Sequence, residues 1–164
     1  LDDIFGGRLT TLAASPGAIA EAASTADLLV GAVLVKGAKA PRLVTKEMVA
    51  QMPNGSVIVD VAIDQGGCVE TSHVTYHDNP VYEVDGVLHY CVGNIPGAVA
   101  RTSTLALANA TFPYALQIAN MGWKDALHKD KGLLQGLNAH AGTLTCPPVG
   151  EAHDIASVEP EHFI

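Results

Sequence analysis

The chain has 164 residues, 48% of them hydrophobic and 16% charged, and a formal net charge of −8 from nine Lys and Arg against seventeen Asp and Glu. That is one domain's worth of chain, apolar enough for a full core without disulfide staples and too apolar for a disordered segment. The acidic balance excludes a nucleic-acid surface, which must neutralise many phosphates, and no apolar run approaches membrane-spanning length.

Leu1 to Phe5 reads as the end of a helix that Gly6-Gly7 stops. Arg8 to Leu12, with two Thr and two Leu, is expected to form a short strand. Ser15-Pro16 places an N-cap and a proline at the head of a helix over Gly17 to Ala26. Asp27 to Val35 is a second apolar strand, and the loop Lys36 to Pro41 follows it. Thr45-Lys46-Glu47-Met48 opens another helix to about Gln51, and Pro53-Asn54-Gly55 turns the chain into a central strand from Val57 to Asp64. Alternating strands and helices of this kind imply right-handed crossovers and a parallel sheet, an α/β fold.

Beyond Gly67 the pattern is irregular to Pro80, with a turn at Asp78-Asn79-Pro80. Val87 to Val92 is a fourth strand, ending in the loop Gly93 to Gly97. Ala98 to Gly122 reads as helix, with Pro113 kinking it or starting a second one. Apolar residues leave this helix hardly any polar face, which predicts a buried connector packed between domains or subunits. The low share of charge likewise predicts that more protein covers part of the surface. Trp123 to Lys129 and Gly132 to Asn138 are shorter helical pieces, His140 to Cys146 is extended, and Glu151 to Ile164 is a terminal arm.

The central strand carries the chemistry. Val57-Ile58-Val59-Asp60-Val61-Ala62-Ile63-Asp64 is a β-branched run ending at an acid and followed by Gln65-Gly66-Gly67. Ligands of open α/β sheets sit beyond the carboxyl ends of the strands, so Asp64 is either a site carboxylate or the cap of a turn. Val33-Leu34 and Val92-Gly93-Asn94-Ile95 end neighbouring strands and read either as walls of the same site or as sheet core. The chain lacks both the Gly-x-Gly-x-x-Gly turn and the Gly-x-x-x-x-Gly-Lys-Ser/Thr loop. A bound dinucleotide would therefore find its pyrophosphate cradle upstream of Leu1, with this chain forming the second half of the fold. Cys68, His73 and His77 are close in sequence, but Val74-Thr75-Tyr76 disfavours a helix presenting both histidines, and no metal site is expected. His89 falls inside a strand as a hydrogen-bonded, half-buried residue rather than a base, whereas His128, His140, His153 and His162 read as solvated. No Gly-x-Ser-x-Gly elbow supports hydrolysis. Three widely spaced cysteines suit a reducing, cytoplasmic compartment.

The segments VGAVLVKGAKAPRLVTKEMV, GSVIVDVAIDQGGCVET and HYCVGNIPGAVARTSTLALANATFPYALQIANMGW, with LDDIFGGR at the start, together resemble the carboxyl-terminal part of bacterial L-alanine dehydrogenases. The resemblance implies NAD as cofactor and reversible oxidative deamination of L-alanine to pyruvate and ammonium. It also implies a homo-oligomer, a hexamer in that family, and a partner amino-terminal half carrying a catalytic histidine and a substrate-binding arginine and lysine. It divides the chain into residues 1–97, the carboxyl-terminal part of an NAD-binding domain with a Rossmann-type parallel sheet, and residues 98–164, helices that return to the substrate domain. Carried over by motif, Asp64 is the catalytic aspartate. Val33, Leu34, Val61, Ala62, Ile63, Asp64, Val92, Gly93, Asn94 and Ile95 match the cofactor contacts. Ser15 stands one place from the serine that meets adenosine in relatives, and His73 replaces a basic residue found after Gln-Gly-Gly in some of them. A neighbouring reading is the NAD(H)-binding component of proton-translocating transhydrogenase, whose relatives carry Glu where Asp64 stands. A third is an inert scaffold fragment assembled through the Ala-rich helix.

Overall fold

A computed structural model describes residues 1–164, the side chain of Asp2 excepted. The chain forms two compact units, one of residues 1–34 and 40–93, the other of residues 35–39 and 94–164.

The first unit opens with the short helix α1 (Asp2–Phe5), followed by α2 (Pro16–Ser24). Ser15 caps α2 by accepting a hydrogen bond from the Ala18 amide at 3.2 Å, with Pro16 in the first turn, as the Ser-Pro pair predicts. Strand β1 (Leu28–Gly31), helix α3 (Lys46–Val49, capped by Thr45) and strand β2 (Val57–Asp60) come next. A hairpin of β3 (Val81–Val84) and β4 (Val87–Tyr90) completes the unit. The sheet order is β1-β2-β4-β3, with β1, β2 and β4 parallel and β3 an antiparallel edge. This parallel-dominated α/β sheet is the expected fold class. Its core gathers Val44, Val49, Met52, Ile58, Val69 and Val87.

Three expectations for this unit need correcting. Arg8 to Leu12 forms no strand: its composition suits one, but a strand exists only where a neighbour supplies the ladder, and this largely exposed segment pairs in neither sheet. The central strand stops at Asp60, and residues 61–65 wind into a 3₁₀ turn. Strand β3 was not anticipated. Its signal is Asp85-Gly86, two residues with φ of 52° and 78° that form the left-handed corner favoured between hairpin strands.

In the second unit a 3₁₀ turn over Ile95–Val99 leads into α4 (Ala100–Met121). Pro113 lies inside this helix without dividing it. Helices α5 (Trp123–Lys129) and α6 (Lys131–Leu134), the small hairpin β5 (Ala139–His140) and β6 (Thr143–Leu144), and α7 (Pro147–His153) follow. His140 is not simply solvated: its ring lies 4.6 Å from Trp123 and 4.9 Å from Phe163. Helix α4 has no buried residue, contrary to the expectation of burial. Leu107 is 66% and Phe112 64% exposed, because an apolar circumference asks for a covering surface and these 164 residues do not supply it. No helix among the described residues is long and apolar enough to cross a membrane.

Candidate functional site

The site grows from the end of β2. Asp60, the last residue of the strand, is completely buried. Its Oδ2 accepts the amide N–H of Cys68 at 2.9 Å and of Val69 at 3.2 Å, and the Cys68 thiol points at Oδ1 from 3.6 Å. Burial, reinforced by the negative charge of Asp60, pushes the Cys68 thiol up to about 11. Gly31 pairs with Asp60 across β1 and β2, and a Cβ there would collide with the Cys68 sulfur. Between Asp60 and Cys68 the chain runs through the 3₁₀ turn Val61–Gln65. It closes with Gly66 and Gly67 at φ of 94° and 79°, their amides bonded to the carbonyls of Ile63 and Ala62. Few residues but glycine adopt that geometry twice in succession.

Asp64 is carried by this turn rather than by a strand tip, and it is exposed. Because β2 and β4 are parallel, the turn after β2 and Gly93 after β4 leave the sheet at the same end. A Cβ on Gly93 would lie 3.5 Å from Asp64 Oδ1 and 3.3 Å from Val74, so the absence of a side chain lets the two exits approach.

A cleft of about 300 Å³ opens at this end, lined by Ala32, Val33, Leu34, Val61, Ala62, Asp64 and Gln65. Five candidate residues, Val33, Leu34, Val61, Ala62 and Asp64, thus meet at one surface. Ile63 faces the core and Val92 is fully buried, which leaves them backbone groups rather than side chains to offer a ligand. Asn94 and Ile95 belong to the second unit. There Asn94, at φ 57°, lines a separate cleft of about 620 Å³ with Pro96, Gly97, Ser103 and Thr104. Gln65 is the residue that sequence reasoning passes over. It lines the first cleft, and its Oε1 is buried with no hydrogen-bond partner among the described residues. The available signal was an amide between the acid and two glycines. Exposed apolar walls, with Leu34 at 72%, beside one carboxylate and one amide suit a flat ligand that is part ring and part polar.

The chain beyond this turn is clasped at residues 71–73. Tyr82 Oη accepts the His73 amide and donates to the Thr71 carbonyl, both at 3.0 Å, and the Tyr82 ring stacks on His73 at 3.8 Å. His89, also completely buried, donates from Nδ1 to the Val87 carbonyl at 2.9 Å, so Nε2 accepts from the Thr71 hydroxyl at 2.7 Å. Burial pushes the His89 pKa below its ordinary value. Cys68, His73 and His77 do not assemble: Cys68 is in the core against Asp60 while His73 lies on Tyr82.

A family model described as "Alanine dehydrogenase/PNT, C-terminal domain" matches residues 1–147. An alanine dehydrogenase of Methanococcus maripaludis is 61% identical over 156 residues, 94% of this chain and 42% of that protein. Among solved structures an L-alanine dehydrogenase superposes with a TM-score of 0.79 at 51% identity, covering 93% of this chain and 42% of the other. A transhydrogenase from Sinorhizobium meliloti gives a TM-score of 0.55 at 33% identity over 63% of this chain and 29% of its own. The chain therefore spans under half the length of the relatives it matches.

Proposed function

Since the chain belongs to the alanine dehydrogenase/PNT C-terminal domain family, we propose that it is the carboxyl-terminal part of an NAD-dependent alanine dehydrogenase, a cytoplasmic oxidoreductase of amino-acid catabolism. In this reading residues 1–97 complete the NAD-binding domain and residues 98–164 return to the substrate domain, where an amino-terminal half supplies the remaining groups. The observation that carries it is the meeting of Asp64 with the apolar walls Val33, Leu34 and Val61 in one cleft at the carboxyl ends of parallel strands. NAD would be held against Val33, Leu34 and Val61 and would supply the acceptor for the hydride that leaves the α-carbon of alanine. Val33, Leu34 and Val61 present apolar surface to the cofactor, with Ala62 and Gln65 completing the lining of the cleft. Ile63, Val92 and Gly93 contribute backbone, and Asn94 and Ile95 contribute from the start of the second unit.

Asp64 orients the water that adds to the imine of pyruvate, and its negative charge favours the protonated, cationic imine over the neutral one. Substituting Asp64→Asn in the full-length enzyme is expected to lower turnover about 100-fold while leaving NADH affinity within about threefold, as removal of a proton-handling group does. Steady-state kinetics with a fluorescence titration of NADH measures both, and turnover within severalfold of the unsubstituted enzyme removes Asp64 from the chemistry. The uncovered apolar face of α4 supports a homo-oligomer, hexameric as the resemblance implies. The transhydrogenase likeness favours a second reading, an NAD(H)-binding component of that machine. Alanine-dependent reduction of NAD by the full-length protein decides for the dehydrogenase, and its absence decides for the other.

A further inference from the structure

We propose that Asp60 is a positioning residue for the reaction, holding the Asp64 turn in its working geometry through two backbone amides; this rests on the assignment of Asp64 above. The turn that carries Asp64 is seven residues long between Asp60 and Cys68, and both of its ends are gathered on one side chain. Asp60 itself begins the turn, and its carboxylate Oδ2 receives the N–H groups of Cys68 and Val69, where the turn finishes. The loop is thus closed by a side-chain link as well as by the Gly66 and Gly67 amides within it. Asp60 is also walled in. A Cβ on Gly67 would sit 2.8 Å from Oδ2, and one on Gly31 3.4 Å from Oδ1. The carboxylate therefore has one place to be, and the turn inherits that placement. Solvent cannot take over its role, because nothing of Asp60 is exposed.

What the turn requires is an acceptor of that shape rather than a negative charge, since both bonds come from neutral backbone amides. An amide side chain keeps such an acceptor in reach, and alanine removes it. In the full-length enzyme Asp60→Asn is expected to keep kcat within about threefold and Asp60→Ala to lower it tenfold or more, since small displacements of a reacting group are costly. Gly67→Ala, whose new Cβ presses on Oδ2, is expected to behave like Asp60→Ala and serves if that variant does not fold. Each kcat is taken per folded molecule, at a temperature well below the unfolding midpoint. Hydrogen–deuterium exchange on the cofactor-free protein gives a readout independent of activity. Protection of the Cys68 and Val69 amides should fall in Asp60→Ala and hold in Asp60→Asn. Exchange unchanged in Asp60→Ala overturns the anchoring. So does a lowered unfolding midpoint with kcat per folded molecule unaltered, which is the signature of a merely structural residue. An Asn variant as impaired as the Ala variant overturns the claim that acceptor geometry is what matters. The assignment of Asp64 fails separately, through Asp64→Asn, and leaves the exchange result standing.

Discussion

At the scale of single residues, the unit around the cleft is held by polar groups taken wholly out of water. His89 is the one whose behaviour with pH follows from its surroundings. Its Nδ1 donates to the Val87 carbonyl, so in the neutral ring Nε2 is the acceptor for the Thr71 hydroxyl. Burial is the main cause that depresses its pKa, and the charge of His73 adds to it; the Val87 bond and the charge of Asp60 oppose. With the folded value below the ordinary 6.5, the unfolded chain takes up the proton first. Stability is then fully present above about pH 6.5 and is lost as the pH falls through the lower, folded value. Urea unfolding midpoints measured from pH 7.5 down to 5.5 should decline, and His89→Gln should flatten the decline whatever it does to stability at pH 7.5. A slope that persists in His89→Gln assigns the titration to another group. Asp60 and Asp64 illustrate what a residue string can hide. Both are acids in one β-branched run, yet Asp60 is completely buried under two amides and Asp64 is exposed on the next turn. Only the point where the strand stops distinguishes them.

At the scale of elements, local chemistry was legible wherever one residue type dictates one conformation. Ser15 and Thr45 cap the helices they precede, and the paired glycines 66 and 67 turn the chain after Gln65. Propensity without a partner misled, as at Arg8 to Leu12. The β4 arm was legible as an apolar run, but β3 (Val81–Val84) was not, although the corner that joins the two is chemically explicit. That corner supports a measurement. Gly86→Ala places a Cβ at φ 78° against the Asn54 side chain and is expected to cost about 1–3 kcal/mol in urea unfolding. Asp85→Asn keeps a residue that tolerates the left-handed region and should stay within about 0.5 kcal/mol. Equal effects of the two would mean that the corner does not hold the hairpin. Pro113 is the converse lesson. A proline mid-helix removes one backbone donor and either bends the helix or ends it, and here α4 does not end: it runs through Pro113 as one element.

At the scale of the molecule, the chain organises as two units, and each leaves apolar surface uncovered. In the first, β1 has a partner only on its β2 side, and Leu28 and Val30 are 58% and 55% exposed. In the second, α4 is apolar round most of its circumference yet has no fully buried residue. Exposed apolar area on this scale belongs at contacts with other protein. The 164-residue chain produced alone is therefore expected to self-associate in sedimentation velocity and to enhance the fluorescence of an apolar dye. Leu107→Lys with Phe112→Lys should reduce both. A monomer that ignores the dye would show that the chain covers these side chains itself.

The sequence by itself determined the fold class, the capped helices, the glycine turn beyond the acid and the family, because each rests on covalent geometry or on a long shared string of residues. Tertiary structure alone decided where the central strand ends, which of its two acids is buried, that Gln65 joins the cleft and that α4 lies uncovered. Those outcomes depend on which backbone groups find partners across space, and contacts between residues distant along the chain are not written in the order of any one segment.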